Sequence, residues 1–123
     1  MITIYGELYS LKNSKRIVKF GKKMALIASK QYMASVKPIE QQLVLNKRNW
    51  IEMVKFFPSP LKVVFKIYRK THRKFDYVNI IQGLQDLMVK CGWLPDDNAD
   101  EIIPVFEPYE VDKNNPRVEI FIK

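Results

Sequence analysis

Residues 61–92 carry the pattern that most restricts the fold of this 123-residue chain. Across residues 61–68 the strongly apolar side chains alternate, which is the period of a strand with one buried face. Across residues 77–91 they recur at spacings of three and four, which predicts an amphipathic helix. Asp76 suits the N-cap of that helix, and Gly92 suits the position just past its C-terminus. The segment therefore predicts a strand joined by a basic loop to a helix.

The remaining segments predict further strands and a second helix. Alternation predicts strands at residues 2–8, 101–106 and 117–122, and a hairpin at 17–27. Helical spacing at residues 29–45 predicts a helix with a kink or a late start at Pro38, whereas residues 46–57 are ambiguous. The order β, hairpin, α, β, α, β, β predicts one α+β domain over residues 1–123, with a small mixed β-sheet and two main helices.

Composition excludes several classes of protein. Hydrophobic residues make up 47% of the chain, which argues against disorder, and no apolar run approaches the length of a membrane span. The first residues read as a strand and lack the layout of a signal peptide. A single cysteine, Cys91, excludes an internal disulfide and fits the cytoplasm. No glycine-rich phosphate loop or serine nucleophile motif is present, and we expect no small-molecule substrate.

The formal net charge is +8 and is unevenly distributed along the chain. Residues 1–90 contain 18 Lys or Arg against 5 Asp or Glu, whereas residues 91–123 contain 3 against 8. Segregated charge creates a directional field, and the basic excess favours a polyanion such as DNA as the partner. An ordinary basic protein with a solvated acidic tail is the alternative. A membrane surface is disfavoured because no basic amphipathic helix with a large apolar face is present.

Acidic and amide side chains occupy the two turns that flank the helix of residues 77–91. Asp76 and Asn79 lie on one face of its first turn, and an Asp-Asp-Asn sequence at residues 96–98 follows its end. A plain N-cap and a solvated turn are the simplest explanations of these residues. A helix of about 15 residues is ~22 Å long. The two turns therefore meet only if the later loop runs back or if the site forms between subunits.

Carboxylates gathered in a basic chain favour a bound cation that offsets their repulsion. Mg²⁺, or alternatively Mn²⁺, is expected, because both prefer oxygen ligands and leave room for water and DNA phosphate. One Cys and one His are too few for a zinc site. The residues predicted to hold the metal and to act in catalysis are Asp76, Asp96 and Asp97, with Asn79 beside them.

Basic side chains on both sides of this site are candidate phosphate contacts. They lie in a turn near residue 14 and in the loop before Asp76, and they are Lys12, Lys15, Arg16, Arg69, Arg73 and Lys74. His72 fits a solvated or phosphate-contacting residue better than a general base. Asp86, on the same helical face as Asn79, is expected to form a structural salt bridge.

The two turns together resemble a known family. Residues 75–79 (Phe-Asp-Tyr-Val-Asn), a helix of matching length, and Gly92-Trp93 followed by Asp96-Asp97 are similar to the RusA-type Holliday junction resolvases. That family has an Asp-x-Asp-Asn motif opening a helix and an Asp-Asp turn beyond its end. The resemblance is best over residues 74–103 and extends weakly to the opening strand and its basic turn.

The resemblance implies a RusA-like fold and a homodimer that binds four-way DNA junctions and cuts two strands with Mg²⁺. Such proteins occur in bacteria, largely from prophages. Asp76, Asp96 and Asp97 match acidic residues of the family's site, and Asn79 matches its asparagine. Val78 replaces the second motif aspartate, and Gln82 replaces a motif lysine. An active nuclease with a rearranged site, one that needs Mn²⁺ or high Mg²⁺, and a junction-binding protein that no longer cuts are therefore all expected alternatives.

Overall fold

Seven strands and two helices form the part of the chain that can be described. The computed structural model describes residues 1–9, 15–20, 23–28 and 30–123, and between residues 15 and 32 it describes the backbone alone. The elements in chain order are β1 (Ile2–Tyr5), β2 (Lys15–Phe20), β3 (Lys23–Ala28), α1 (Lys30–Val54), β4 (Leu61–Arg69), α2 (Tyr77–Lys90), β5 (Ile102–Phe106), β6 (Glu110–Val111) and β7 (Arg117–Ile122). A mixed sheet with two main helices confirms the predicted α+β fold.

The main sheet has the strand order β1-β7-β4-β5, and β6 pairs with the end of β4. β7 is antiparallel to β1 and β4, whereas β5 and β6 are parallel to β4. The predicted hairpin is present as the antiparallel pair β2 and β3. Because β4 and β5 are parallel, α2 must carry the chain back from the carboxyl end of β4 to its amino end.

The core lies between the sheet and the two helices. Alternate residues of β4, from Leu61 to Ile67, are buried against α2 residues that include Ile81 and Met88. Trp50 of α1 is 1% exposed and stacks on Trp93, with ring centroids 4.7 Å apart. This stack joins the second half of α1 to the turn that follows α2.

The bounds of α1 and β1 depart from the sequence-based expectation, and one strand, β6, was not expected. α1 continues through Pro38 and the ambiguous stretch to Val54, because Trp50 and its neighbours bury an apolar face that the helix alone can present. β1 ends at Tyr5, since Gly6 adopts φ +120°, a backbone conformation that side chains disfavour. β6 was not predicted, because a strand of two residues leaves no periodic signal. Within the described residues, neither helix has a stretch long and apolar enough to cross a bilayer.

Candidate metal and nucleic-acid site

Asp76 occupies the predicted N-cap of α2. Its backbone is extended, and its Oδ1 accepts a hydrogen bond from the Val78 backbone N–H at 3.0 Å. This bond satisfies one of the amide groups that the first turn of any helix leaves unpaired. The side chain remains exposed at the carboxyl end of β4. Asp76 is thus an accessible carboxylate held in a defined position.

Aromatic packing fixes the start of α2. The Phe75 ring contacts Tyr77 and Tyr109 edge-on, with centroids 5.2 Å and 4.8 Å away. Tyr77 stacks on Phe106 of β5, and its hydroxyl accepts a hydrogen bond from the Tyr109 N–H at 2.9 Å. The residues on both sides of Asp76 are therefore anchored to the sheet.

The turn after α2 is anchored by two tryptophans. The Trp50 indole N–H donates to the Trp93 carbonyl at 2.7 Å, and the Trp93 indole N–H donates to the Leu43 carbonyl at 2.8 Å. Gly92, at φ +78°, lies just past the end of α2 and immediately before Trp93. An added Cβ at that position would lie 2.6 Å from the Lys47 Nζ, so the flexible end of the Lys47 side chain would have to move. The acidic residues that follow therefore continue from a turn that is hydrogen-bonded to α1.

Asp96 organises this turn through local hydrogen bonds. Its carboxylate accepts from the Asp97 N–H at 2.8 Å and from the Asn98 amide at 3.0 Å. These bonds stabilise the charged form, the one to the Asp97 backbone most, and lower the pKa of Asp96. Both oxygens of the Asp96 carboxylate therefore stabilise the turn, although the side chain is exposed to solvent.

Asp97 lies beside Asp86 of α2. Partial burial raises the pKa of Asp86, and the negative charge of Asp97 together with a hydrogen bond to it raises it further. No ion pair of Asp86 occurs among the described residues, so the predicted salt bridge is wrong. The structure replaces it with a pair of neighbouring carboxylates. The sequence feature that could have pointed to this pair is the seven-residue spacing, which places Asp86 on the same helical face as Asn79.

Asp76 and Asp97 are far apart within one protomer. Ten positions separate Asp76 from Asp86, which corresponds to ~15 Å of helix rise. Nowhere in residues 1–9 or 30–123 do three or more His, Cys, Asp or Glu side chains come together as a metal site. The loop after α2 brings Asp97 beside Asp86, in the second half of the helix, rather than to Asp76 at its start.

Val78 and Gln82, the two residues that depart from the family motif, have side chains exposed to solvent. Val78 is 63% exposed in the first turn of α2, where it offers no metal ligand. Gln82 is also exposed, and together with Asn79 and Asp86 it forms a polar row along the helix. None of Asp76, Asp86, Asp96 and Asp97 takes part in the ion pairs of the described residues.

The loop of residues 70–74, hereafter the basic loop, is exposed throughout. Arg73 and Lys74 present their charges to solvent directly before Asp76, as phosphate contacts require. Among the other candidates, Lys12 lies outside the described residues. Lys15 and Arg16 begin β2, and their side chains lie outside the description.

Arg69 requires a correction. Its side chain is only 7% exposed and forms an ion pair with Glu7, with Nε and Oε1 3.2 Å apart. One of its terminal nitrogens donates to the Leu8 carbonyl at 2.8 Å, and its guanidinium lies over the Phe75 ring. The sequence suggested a phosphate contact because five cationic or polar residues, at positions 70–74, follow Arg69. Its position on the inward face of β4 makes it part of the interior instead.

The structure thus joins an exposed basic loop to a helix whose acidic residues form no ion pair with the side chains that are described. A family model described as Endodeoxyribonuclease RusA matches residues 6–123. The chain therefore belongs to the RusA endodeoxyribonuclease family, whose members resolve Holliday junctions, and the resemblance noted in the sequence is confirmed. A search of curated proteins found no match.

Proposed function

We propose that this protein is a metal-dependent endodeoxyribonuclease that cuts four-way DNA junctions as a homodimer, with Mg²⁺ as the ion and Mn²⁺ as a substitute. Membership in the RusA family supports endonuclease action on branched DNA. The observation that carries the metal proposal is the Asp86–Asp97 pair, two adjacent carboxylates that form no ion pair with any basic side chain the structure describes. A cation between them would offset their repulsion.

The donor set fits magnesium. Mg²⁺ is typically held by one or two carboxylates, several waters and substrate phosphate oxygens. Asp97 and Asp86 would hold it in one protomer, with Asp76, Asp96 and Asn79 as further candidates. When bound, the ion would polarise the scissile phosphate and lower the pKa of an attacking water. The protein itself would hold these oxygens in place through the packed turn after α2, and it would orient the phosphate through nearby basic side chains.

The separation of Asp76 from Asp97 supports a site shared between two protomers. About 15 Å of helix is too far for one ion, whose ligand oxygens lie ~2.1 Å away. A two-fold axis that sets α2 of one protomer antiparallel to α2 of the other would bring Asp76 of one towards Asp97 of its partner. Two such sites would also fit two symmetric cuts.

DNA would be gripped through its phosphates. Arg73 and Lys74 of the basic loop, with Lys12, Lys15 and Arg16, are the proposed contacts. With these five phosphate contacts per site, log affinity should fall with log salt at a slope of about −4.5. A slope near zero would argue against DNA as the partner.

A junction-binding protein that no longer cuts is the second candidate. Exposed Val78 favours it, because this position offers an apolar side chain where the family motif has a carboxylate. Such a protein would bind junctions equally well with and without EDTA. Cleavage distinguishes the two functions.

The deciding experiment is cleavage of a synthetic four-way junction across Mg²⁺, Mn²⁺ and EDTA. We expect nicking that requires the metal and disappears in Asp97→Asn. Asp100→Asn is the matched control, because Asp100 is an exposed aspartate of the same turn and should leave nicking intact. Tight binding without cleavage under every metal condition would reject the nuclease and favour the second candidate.

A further inference from the structure

The Arg69 side chain contacts two chain segments that are far apart in the sequence: residues 7–8, just after β1, and Phe75, just after the basic loop. Through the Leu8 carbonyl and Glu7 it contacts the chain that leaves β1 on its way towards Lys12. Through its own backbone it begins the basic loop, and its guanidinium lies 4.7 Å from the centroid of Phe75 at the other end of that loop. One buried side chain thus contacts Glu7 and Leu8, which precede Lys12 in the chain, and Phe75, which follows the basic loop.

Glu7 completes the connection. Its Oε1 faces the Arg69 guanidinium at 3.2 Å, and its Oε2 accepts a hydrogen bond from the Lys70 backbone N–H at 3.0 Å. The Glu7 side chain is 14% exposed, so this carboxylate is largely withdrawn from water. The start of the basic loop is therefore held by Glu7, and its end is held by Phe75.

We infer that Arg69 and Glu7 are positioning residues for junction binding: they hold the basic loop and the chain after β1 in one arrangement before DNA arrives. This inference rests on the proposed function. Arg69 would not touch phosphate itself, because the Glu7 carboxylate, the Leu8 carbonyl and the Phe75 ring already surround it. Its effect would come from lowering the entropy that the loop loses on binding.

Arg69→Lys is the sharpest test because it leaves the net charge unchanged. A lysine keeps the ion pair but loses the planar fork that reaches the Leu8 carbonyl and the Phe75 ring together. Arg117→Lys is the matched control. Arg117 also lies over an aromatic ring, Tyr68 at 3.7 Å, and pairs with two acids, Asp112 and Glu119. None of the partners described for its side chain belongs to residues 7–8 or to the basic loop.

Junction affinity is measured for both variants over a range of salt, alongside thermal melting. We expect Arg69→Lys to bind about tenfold more weakly at every salt concentration, with the wild-type salt slope, which corresponds to ~1.4 kcal/mol of ordering cost. Arg117→Lys should melt at a lower temperature but bind as the wild type does. Glu7→Gln should reproduce the weaker binding and serves if Arg69→Lys fails to fold.

Three other outcomes would overturn the inference. Unchanged affinity with a lower melting temperature would make Arg69 merely structural. In Arg69→Gln, which removes the charge, a salt slope reduced by about one unit would make Arg69 a direct phosphate contact. Equal losses of affinity in Arg117→Lys would mean that any weakened fold impairs binding. If the wild-type protein does not bind the junction at all, the proposed function fails first, and the role of Arg69 fails with it.

Discussion

Heterodimers of two inactive variants can show whether one catalytic site draws its carboxylates from two protomers. The variants are Asp76→Asn and Asp97→Asn, co-expressed with different affinity tags and purified through both. Within a protomer, Asp97 lies beside Asp86, and ~15 Å of helix separates Asp86 from Asp76. Two oxygens that share a magnesium ion lie no more than ~4 Å apart. One protomer therefore falls short by roughly 10 Å, several times the reach of a side-chain rotation.

If sites are shared, each heterodimer keeps one site with both aspartates and one site with neither. We expect about half of the wild-type nicking rate per dimer, with products cut on one strand of the junction rather than on two. The assay is cleavage of a labelled four-way junction, resolved on a denaturing gel. Neither homodimer should cut.

The reciprocal heterodimer is the control. Wild-type protein paired with an Asp76→Asn/Asp97→Asn double variant has no complete shared site, so it should be inactive. If each site instead belongs to one protomer, the outcomes reverse: the first heterodimer is inactive and the second retains half of the activity. That reversal would refute the shared site and would require Asp76 and Asp97 to meet within one chain.

Four further outcomes are expected. Val78→Asp should increase cleavage at low Mg²⁺ without loss of melting temperature, because the side chain is 63% exposed; weaker cleavage would count against a role for this position. Asp86→Asn should raise the melting temperature in EDTA at neutral pH, because partial desolvation and the neighbouring Asp97 raise the pKa of Asp86 and so disfavour its charged form. The same variant should reduce the Mg²⁺-dependent stabilisation measured in these melts. Asp76→Ala should lower the free energy of unfolding by about 1 kcal/mol through loss of the cap, whereas Asp76→Asn should cost far less in the same denaturant titration. Trp50→Ala should cost about 3–5 kcal/mol in that titration, because the indole is 1% exposed and donates to the Trp93 carbonyl; a cost below 1 kcal/mol would contradict its place in the core.

The start and end of α2 could be predicted from the sequence, because both depend on local interactions. Asp76 caps the helix and Gly92 follows its end, because both effects depend on residues within one turn. The full length of α1 was not readable, since the second half of that helix is specified by the burial of Trp50 against Trp93, far away in the chain. The role of Arg69 was not predicted for the same reason: its partners Glu7 and Leu8 lie just after β1, some 60 residues earlier in the chain.

The sequence by itself determined the family, the α+β class, the capped helix and the set of acidic residues, because these depend on residue types at short, fixed spacings. Only the tertiary structure decided which of those carboxylates meet. The turn after α2 is held by the two tryptophans, and this anchoring returns Asp97 to Asp86 and leaves Asp76 at the far end of the helix. Spacing along a chain sets which groups are available, but long-range packing sets the distances on which metal binding depends.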